Sequence, residues 1–174
     1  MKKIAVVILN WNGTKLLEQF LPSVMQYSTE AEIYLADNAS TDNSIAFVKE
    51  HFPAIKIIQN DDNYGFAKGY NIALQNVEEE YYCLLNSDVE VTENWLKPIL
   101  TCFPFCRGRI FDTVEKDNGQ YNDDIQIFWA SGACFFIRKE VFRKLNGFDA
   151  DFFAHQEEID LCWRANNLGY NIKY

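Results

Sequence analysis

The run "KIAVVILNWNG" (residues 3–13) decides the fold class. Its six successive apolar residues, Ile4 to Leu9, leave no polar position on either side of the pleat, and four of them are β-branched. A strand of that kind is covered on both faces, as in a parallel sheet sandwiched between helices. It stops on Asn10-Trp11-Asn12. Downstream, Leu16, Leu17, Phe20, Leu21, Val24 and Met25 recur at helical spacing. "EIYLADN" (32–38), "IKIIQN" (55–60) and "YYCLLNSD" (81–88) read as further buried strands. Between them lie two helical stretches. "STDNSIAFVKEHF" (40–52) opens on capping residues and ends before Pro53. "GFAKGYNIALQNV" (65–77) is apolar at Phe66, Tyr70, Ala73, Leu74 and Val77, and "TENWLKPILTCF" (92–103) predicts a helix capped at Thr92.

This alternation predicts an α/β fold: a Rossmann-like, mostly parallel sheet flanked by helices on both faces. Ligands of such sheets gather at the carboxyl ends of the strands. Polar residues stand at all four ends: Asn10-Trp11-Asn12, Asp37-Asn38, Asn60-Asp61 and Asn86-Ser87-Asp88. Loop chemistry accounts for one or two such endings, whereas four on one rim point to a site. Residues 103–126 are polar and irregular. Strand material returns at 127–139, split at Ser131-Gly132, and residues 139–148 predict a short helix with Gly147 as its C-terminal cap. Residues 155–170 predict a helix with acids in its first turn and an apolar face of Leu161, Ala165 and Leu168.

At 174 residues the chain suits one domain with a substantial core. A formal net charge of -9 argues against a general nucleic-acid or anionic-membrane binder, since both polyanions would be repelled. Cys83, Cys102, Cys106, Cys134 and Cys162 form no C-x-x-C pair, which argues against a disulfide framework or zinc site and fits a reducing cytoplasm. No apolar stretch approaches the ~20 residues that cross a bilayer, so a soluble protein is expected. A dinucleotide-binding Rossmann domain needs a glycine-rich first turn, but "NWNG" offers one glycine and bulky neighbours; no P-loop is present either.

Five stretches, in order, resemble the family-2 inverting glycosyltransferases of the GT-A fold, especially the rhamnosyltransferase-like members. They are "VVILNWNG" (6–13), "ADNASTDNS" (36–44), "NDDNYGFAKGYNIAL" (60–74), "LLNSDVEV" (84–91) and the segment from Ala130 to Tyr170. The similarity covers nearly everything except residues 103–126. It implies a single GT-A domain over 1–174, with a nucleotide-sugar-binding half at 1–102. The irregular loop 103–126 and an acceptor-side half at 127–174, incomplete at its C-terminus, follow.

The resemblance also implies roles. Asp37 would accept from the N3–H of a pyrimidine, with Asn10, Trp11 and Asn12 lining base and ribose. Asn63, Gly65, Lys68 and Asn71 would hold the nucleotide, with Gly65 permitting close backbone approach and Lys68 facing phosphate, unless it is a solvated helix lysine. Asp88 matches the last acid of the family's Asp-x-Asp pattern and would bind Mn2+ or Mg2+ with the donor diphosphate; the alternative is a plain turn acid. Asn86 stands where the first acid would be and can contact ribose or metal through its amide oxygen. Glu157-Glu158 match the family's Glu-Asp pair. Glu158 would be the base, one methylene longer than the family's Asp, with Glu157 the second candidate and a helix-dipole role the alternative.

Asp160 pairs with Arg164 on the helix surface, and Cys162 and Trp163 read as core. Trp129, before Ser131-Gly132, could floor a sugar pocket, and a lone His155 is more often a surface residue than a ligand. The donor implied is a dTDP- or UDP-sugar and the acceptor a glycan or lipid-linked glycan, which leaves peripheral attachment to the inner membrane face and oligomeric state open. Three readings follow: inverting transfer in bacterial cell-surface polysaccharide synthesis, a non-catalytic nucleotide-sugar-binding module or truncated inactive transferase, and a nucleotidyltransferase. The last lacks the basic, glycine-rich first loop that a triphosphate needs.

Overall fold

A computed structural model of the chain describes residues 2–96, 109–110, 113–114 and 125–173. The main sheet has five strands, β1 (Ile4–Asn10), β2 (Ala31–Asn38), β3 (Lys56–Asn60), β4 (Tyr81–Leu85) and β8 (Cys134–Arg138), in the order β3-β2-β1-β4-β8. The first four run parallel, and β8 closes the sheet antiparallel to β4. Two short antiparallel pairs stand apart: β5 (Arg109–Ile110) with β6 (Thr113–Val114), and β7 (Gln126–Ile127) with β9 (Ile172–Lys173). The helices are α1 (Thr14–Tyr27), α2 (Ser44–His51), α3 (Gly65–Ala73) with a 3-10 turn at Leu74–Asn76, α4 (Lys139–Lys144) and α5 (Glu157–Asn167).

The unbroken apolar run of β1 serves two cores. Ile4, Val6 and Ile8 join Leu17, Leu21, Val24 and Val48 under α1 and α2. Ala5 and Val7 join Tyr70, Ala73, Phe142, Leu161 and Ala165 under α3, α4 and α5. Alternate residues of one strand thus face opposite layers, which is why no polar position interrupts it.

Residues 40–43 do not continue α2 but form its N-terminal loop. Within it Asp42 serves two helices: Oδ2 accepts from the Thr14 N–H (3.1 Å) and hydroxyl (2.7 Å), and Oδ1 from the Ser44 N–H (3.0 Å) and hydroxyl. Burial pushes this carboxyl up, but the Ser44 and Thr14 hydrogen bonds outweigh it and hold the group down at about 2. A depressed carboxylate stabilises the fold fully above its unfolded value, near 3.8, and that stability is lost as pH falls towards 2. Because Asp42 is exposed, solvent screening limits the effect to about 1 kcal/mol. Asp42→Ala should lower Tm by roughly 2–4 °C at pH 6, and the gap from wild type should close as pH approaches 2 in calorimetry.

Three expectations shift. Residues 93–96 form turns with Asn94 at φ 65, not the start of a helix; residues 97–103 lie outside the described residues, as do Cys102 and Cys106. The strand material at 127–139 divides between two sheets: β7 pairs with β9, and β8 enters the main sheet. On α5 the core face is Leu161, Cys162 and Ala165, whereas Trp163 is 55% exposed and Leu168 also faces solvent. Gly147 (φ +70) ends α4 through its N–H on the Phe142 carbonyl, 2.9 Å, as its position predicts. Cys83, Cys134 and Cys162 are free thiols. No helix among the described residues is long and apolar enough to cross a membrane.

Candidate active site

The parallel register brings the strand ends to one rim. Asn10 lies opposite Asp37, Asn38 opposite Asn60, and Ile8 beside Leu85, so Asn86 to Asp88 emerge next to the end of β1. The β1 and β2 ends are tied by a buried polar network. Asp37, 1% exposed, accepts on Oδ1 from the Asn10 amide (2.8 Å) and the Ser40 hydroxyl (2.6 Å), and on Oδ2 from the Ser40 N–H (2.9 Å). The second Asn10 amide proton goes to Ser40 Oγ, 3.0 Å. Asn12, at φ 51, accepts on Oδ1 from the Thr41 (2.7 Å) and Asp42 (3.2 Å) N–H groups. Gly13 is needed here, because a Cβ would sit 2.4 Å from Asn10 Oδ1.

Asn10, 2% exposed, therefore organises the loop from below. Trp11, 55% exposed, and Asn12, also exposed and bonded to described residues through its Oδ1 and N–H, stand open at the rim. Asp37 keeps one lone-pair position on Oδ2 beyond these bonds.

A second amide network joins β2 and β3 to α3. Asn60 donates to Asn38 Oδ1 (2.7 Å) and the Gly69 carbonyl (3.2 Å), and Asn38 donates to the Gly65 carbonyl (2.9 Å). Asn63 Oδ1 accepts from the Gly65 N–H, 3.1 Å. Lys68 is exposed, its Nζ 4.1 Å from the centre of the Tyr64 ring. Two assigned residues differ from expectation. Gly65, at φ +69, admits the backbone of Phe153, to whose carbonyl the Phe66 N–H donates at 2.8 Å. Asn71 clamps the segment that follows α4: its amide donates to the Phe148 carbonyl (2.7 Å) and its Oδ1 accepts from the Phe148 N–H (2.9 Å). Both ends of that amide are committed to the fold.

The β4 end meets the acid pair through residues 131–133. The Asn86 N–H donates to the Ala133 carbonyl at 3.0 Å. One residue earlier, the Cβ position of Gly132 lies 3.7 Å from the Glu158 carboxyl and 3.8 Å from the Phe66 ring. Trp129 is exposed nearby in the chain. Glu157 is 4% exposed; burial, then the charge of Glu158, raises its pKa, while His155 pulls the other way. One buried oxygen on each acid, Glu157 Oε2 and Glu158 Oε2, has no hydrogen-bond partner among the described residues. Buried carboxylate oxygens left so are costly and point to a missing donor.

The turn into α5 is strained, with His155 at φ 78 and Gln156 at φ 71. Asp160 accepts from Arg164 at 2.6 Å as predicted, but Arg164 also caps α4 by donating to the Leu145 and Gly147 carbonyls, so this pair fixes α5 in place.

Asp88 is exposed at the β4 end and makes no hydrogen bond or ion pair with a described residue. Among the described residues no three His, Cys, Asp or Glu side chains gather to hold a metal alone. A single free carboxylate at an open rim suits a hard divalent ion that takes its remaining ligands from a bound phosphate. Sequence reasoning placed Asn38 and Asn60 on this rim but missed Ser40 and Phe153 as its builders; only the Asp/Ser/Thr-rich "DNASTDNS" carried a signal for Ser40, of side chains bonding to nearby backbone.

The family described as Glycosyl transferase family 2 matches residues 5–104. The N-acetylglucosaminyl-diphospho-decaprenol L-rhamnosyltransferase of Mycobacterium tuberculosis is 20% identical over 98% of this chain and 73% of its own length. Rhamnosyltransferase WbbL of Escherichia coli is 35% identical over 75% of this chain and 54% of its own. Among solved structures, mannosyltransferase PcManGT from Pyrobaculum calidifontis, in complex with GDP-Man and Mn2+, superposes with a TM-score of 0.76 at 18% identity, covering 97% of this chain. The chain spans about half the length of the latter two proteins.

Proposed function

The chain belongs to glycosyl transferase family 2, and from that premise we propose that it moves a sugar from a nucleoside-diphosphate sugar to an acceptor hydroxyl with inversion, in the synthesis of a cell-surface polysaccharide. The observation that carries this reading is the Glu158 carboxyl, with one buried oxygen lacking a partner, against Gly132 and one residue from the Ala133–Asn86 bond to the β4 end. An acceptor hydroxyl brought to the β4 end beside Gly132 would meet that carboxyl.

Glu158 takes the proton of that hydroxyl as its oxygen bonds to the anomeric carbon. The bond from that carbon to the diphosphate breaks on the opposite face, and the nucleoside diphosphate leaves with the electron pair. Trp11 and the free position on Asp37 suit a pyrimidine base, Asn63 and Lys68 the adjoining ribose and phosphates, Asn86 the ribose, and Trp129 and Gly132 the sugar. Asp88 would hold Mn2+ or Mg2+ with the donor diphosphate, where such an ion would supply positive charge to offset that of the leaving group. The M. tuberculosis relative is named for a decaprenol-linked acceptor. A lipid-linked acceptor here would bring the chain to a membrane face as a peripheral protein.

Melting curves with dTDP-rhamnose, UDP-N-acetylglucosamine and GDP-mannose, with and without Mn2+, test the donor half. A dTDP- or UDP-sugar at 100 times its Kd should add about 2.7 kcal/mol in Mn2+, roughly 5–10 °C. Asp88→Asn should melt like wild type without ligand and bind the donor about tenfold more weakly in Mn2+. If none of the donors moves Tm under either condition, the reading is wrong.

A further inference from the structure

We propose that Phe153 is the acceptor platform of this site, its ring stacking on the apolar C–H face of the pyranose whose hydroxyl Glu158 deprotonates; the assignment rests on the transferase reading above. Phe153 is 64% exposed, yet its backbone is locked. Its carbonyl accepts from the Phe66 N–H at 2.8 Å. Gly65 lies directly against it: a Cβ there would stand 2.4 Å from the Phe153 carbonyl oxygen and 2.8 and 2.9 Å from ring atoms Cδ2 and Cε2. One edge of the ring is seated on a residue with no side chain, and the rest is open.

Single exposed apolar side chains are common and ordinarily mean nothing. This one differs in how it is held and where. The glycine on which it rests occupies the left-handed region, and Asn63 Oδ1 fixes that glycine's N–H on the donor side of the rim. The next residue, Phe66, packs its ring 3.8 Å from the Cβ position of Gly132, beside the Glu158 carboxyl. Phe153 thus meets the Gly65-Phe66 step directly, and the base is linked to it through Gly132. The chain then passes through two left-handed residues, His155 and Gln156, straight into Glu157 and Glu158. A rigid aromatic face beside a base is suited to a sugar ring, because it offers contact area with little rotamer entropy to lose.

The test measures transfer from dTDP-rhamnose to a synthetic N-acetylglucosaminyl diphosphate bearing a short alkyl chain. Phe153→Ala should raise KM for this acceptor about tenfold, with donor KM and Tm unchanged. Phe153→Trp should restore acceptor KM, and Phe153→Leu should not. With 4-fluorophenylalanine at position 153, the fluorine resonance should move on adding acceptor and stay put with donor alone. An unchanged acceptor KM in Phe153→Ala overturns the proposal, as does full rescue by leucine or an effect on donor KM alone. A wild-type chain whose melting no donor shifts, and which releases no diphosphate, fails earlier and takes the transferase reading with it.

Discussion

Glu158→Gln should lower sugar transfer by about 10³-fold while changing donor affinity less than twofold. The substitution keeps length and shape, so α5 and its contacts with Gly132 persist. What goes is the ability to accept a proton, and a positioned general base contributes about 10²- to 10⁴-fold. The neighbouring acid supplies the control. Glu157 is nearly buried, and burial followed by the charge of Glu158 keeps its carboxyl protonated to higher pH than usual. Only the Glu158 carboxyl lies against Gly132 beside the β4 end, so Glu157→Gln should cost less than Glu158→Gln.

The reverse ranking in single-turnover rates would exchange the two roles. Equal, background-level release of nucleoside diphosphate from wild type and Glu158→Gln, with donor still bound, would instead identify a binding module without turnover. The extra methylene of Glu158 relative to the family's Asp makes this ranking informative: glutamine keeps the reach and removes only the basicity, so the larger loss marks the residue that touches the hydroxyl.

How far the chain could be read in advance depended on whether a residue's partners were local. The β1 run announced its two-sided burial because Ile4, Val6 and Ile8 face one core while Ala5 and Val7 face the other. The rim was legible because parallel register aligns strand ends automatically: Asn10 with Asp37 and Asn38 with Asn60. Helical periodicity located the stripe of α5 but misjudged its margins. Trp163 lies one step around the helix from Cys162 and off the Leu161–Ala165 line, and Leu168 follows the last residue of the helix, where the spacing no longer applies.

Long-range partners carried no local trace. Asn71 looks like a ligand-binding amide on a rim helix, and only the fold reveals Phe148, 77 residues away, bonded to both its ends. Gly65 shows the same limit. A glycine before a helix signals close approach, but not that the visitor is Phe153 of the same chain.

That contact yields the second large effect. Gly65→Ala should destabilise the protein by roughly 3 kcal/mol, a fall in Tm of about 6–12 °C. Part of this is conformational, since an L-residue at φ +69 costs about 1–2 kcal/mol. The rest is steric: the new methyl would stand 2.4 Å from a backbone carbonyl, and a backbone atom has no rotamer to move into. Phe153 must back away, which breaks the Phe66–Phe153 hydrogen bond at about 1 kcal/mol. Movement there is transmitted to Glu157 and Glu158 through a turn already strained at His155 and Gln156, so transfer should fall about 10²-fold even in the folded fraction.

Gly132→Ala separates site from scaffold. Its Cβ would meet Glu158 and Phe66 at 3.7 and 3.8 Å, ordinary contact distances. Its Tm should therefore stay within about 2 °C of wild type, while the added methyl takes up space beside the base that the sugar would use and slows transfer. Should Gly65→Ala melt and turn over like the parent chain, Phe153 does not stand against that glycine, and neither the seat of its ring nor the anchoring of the base helix survives.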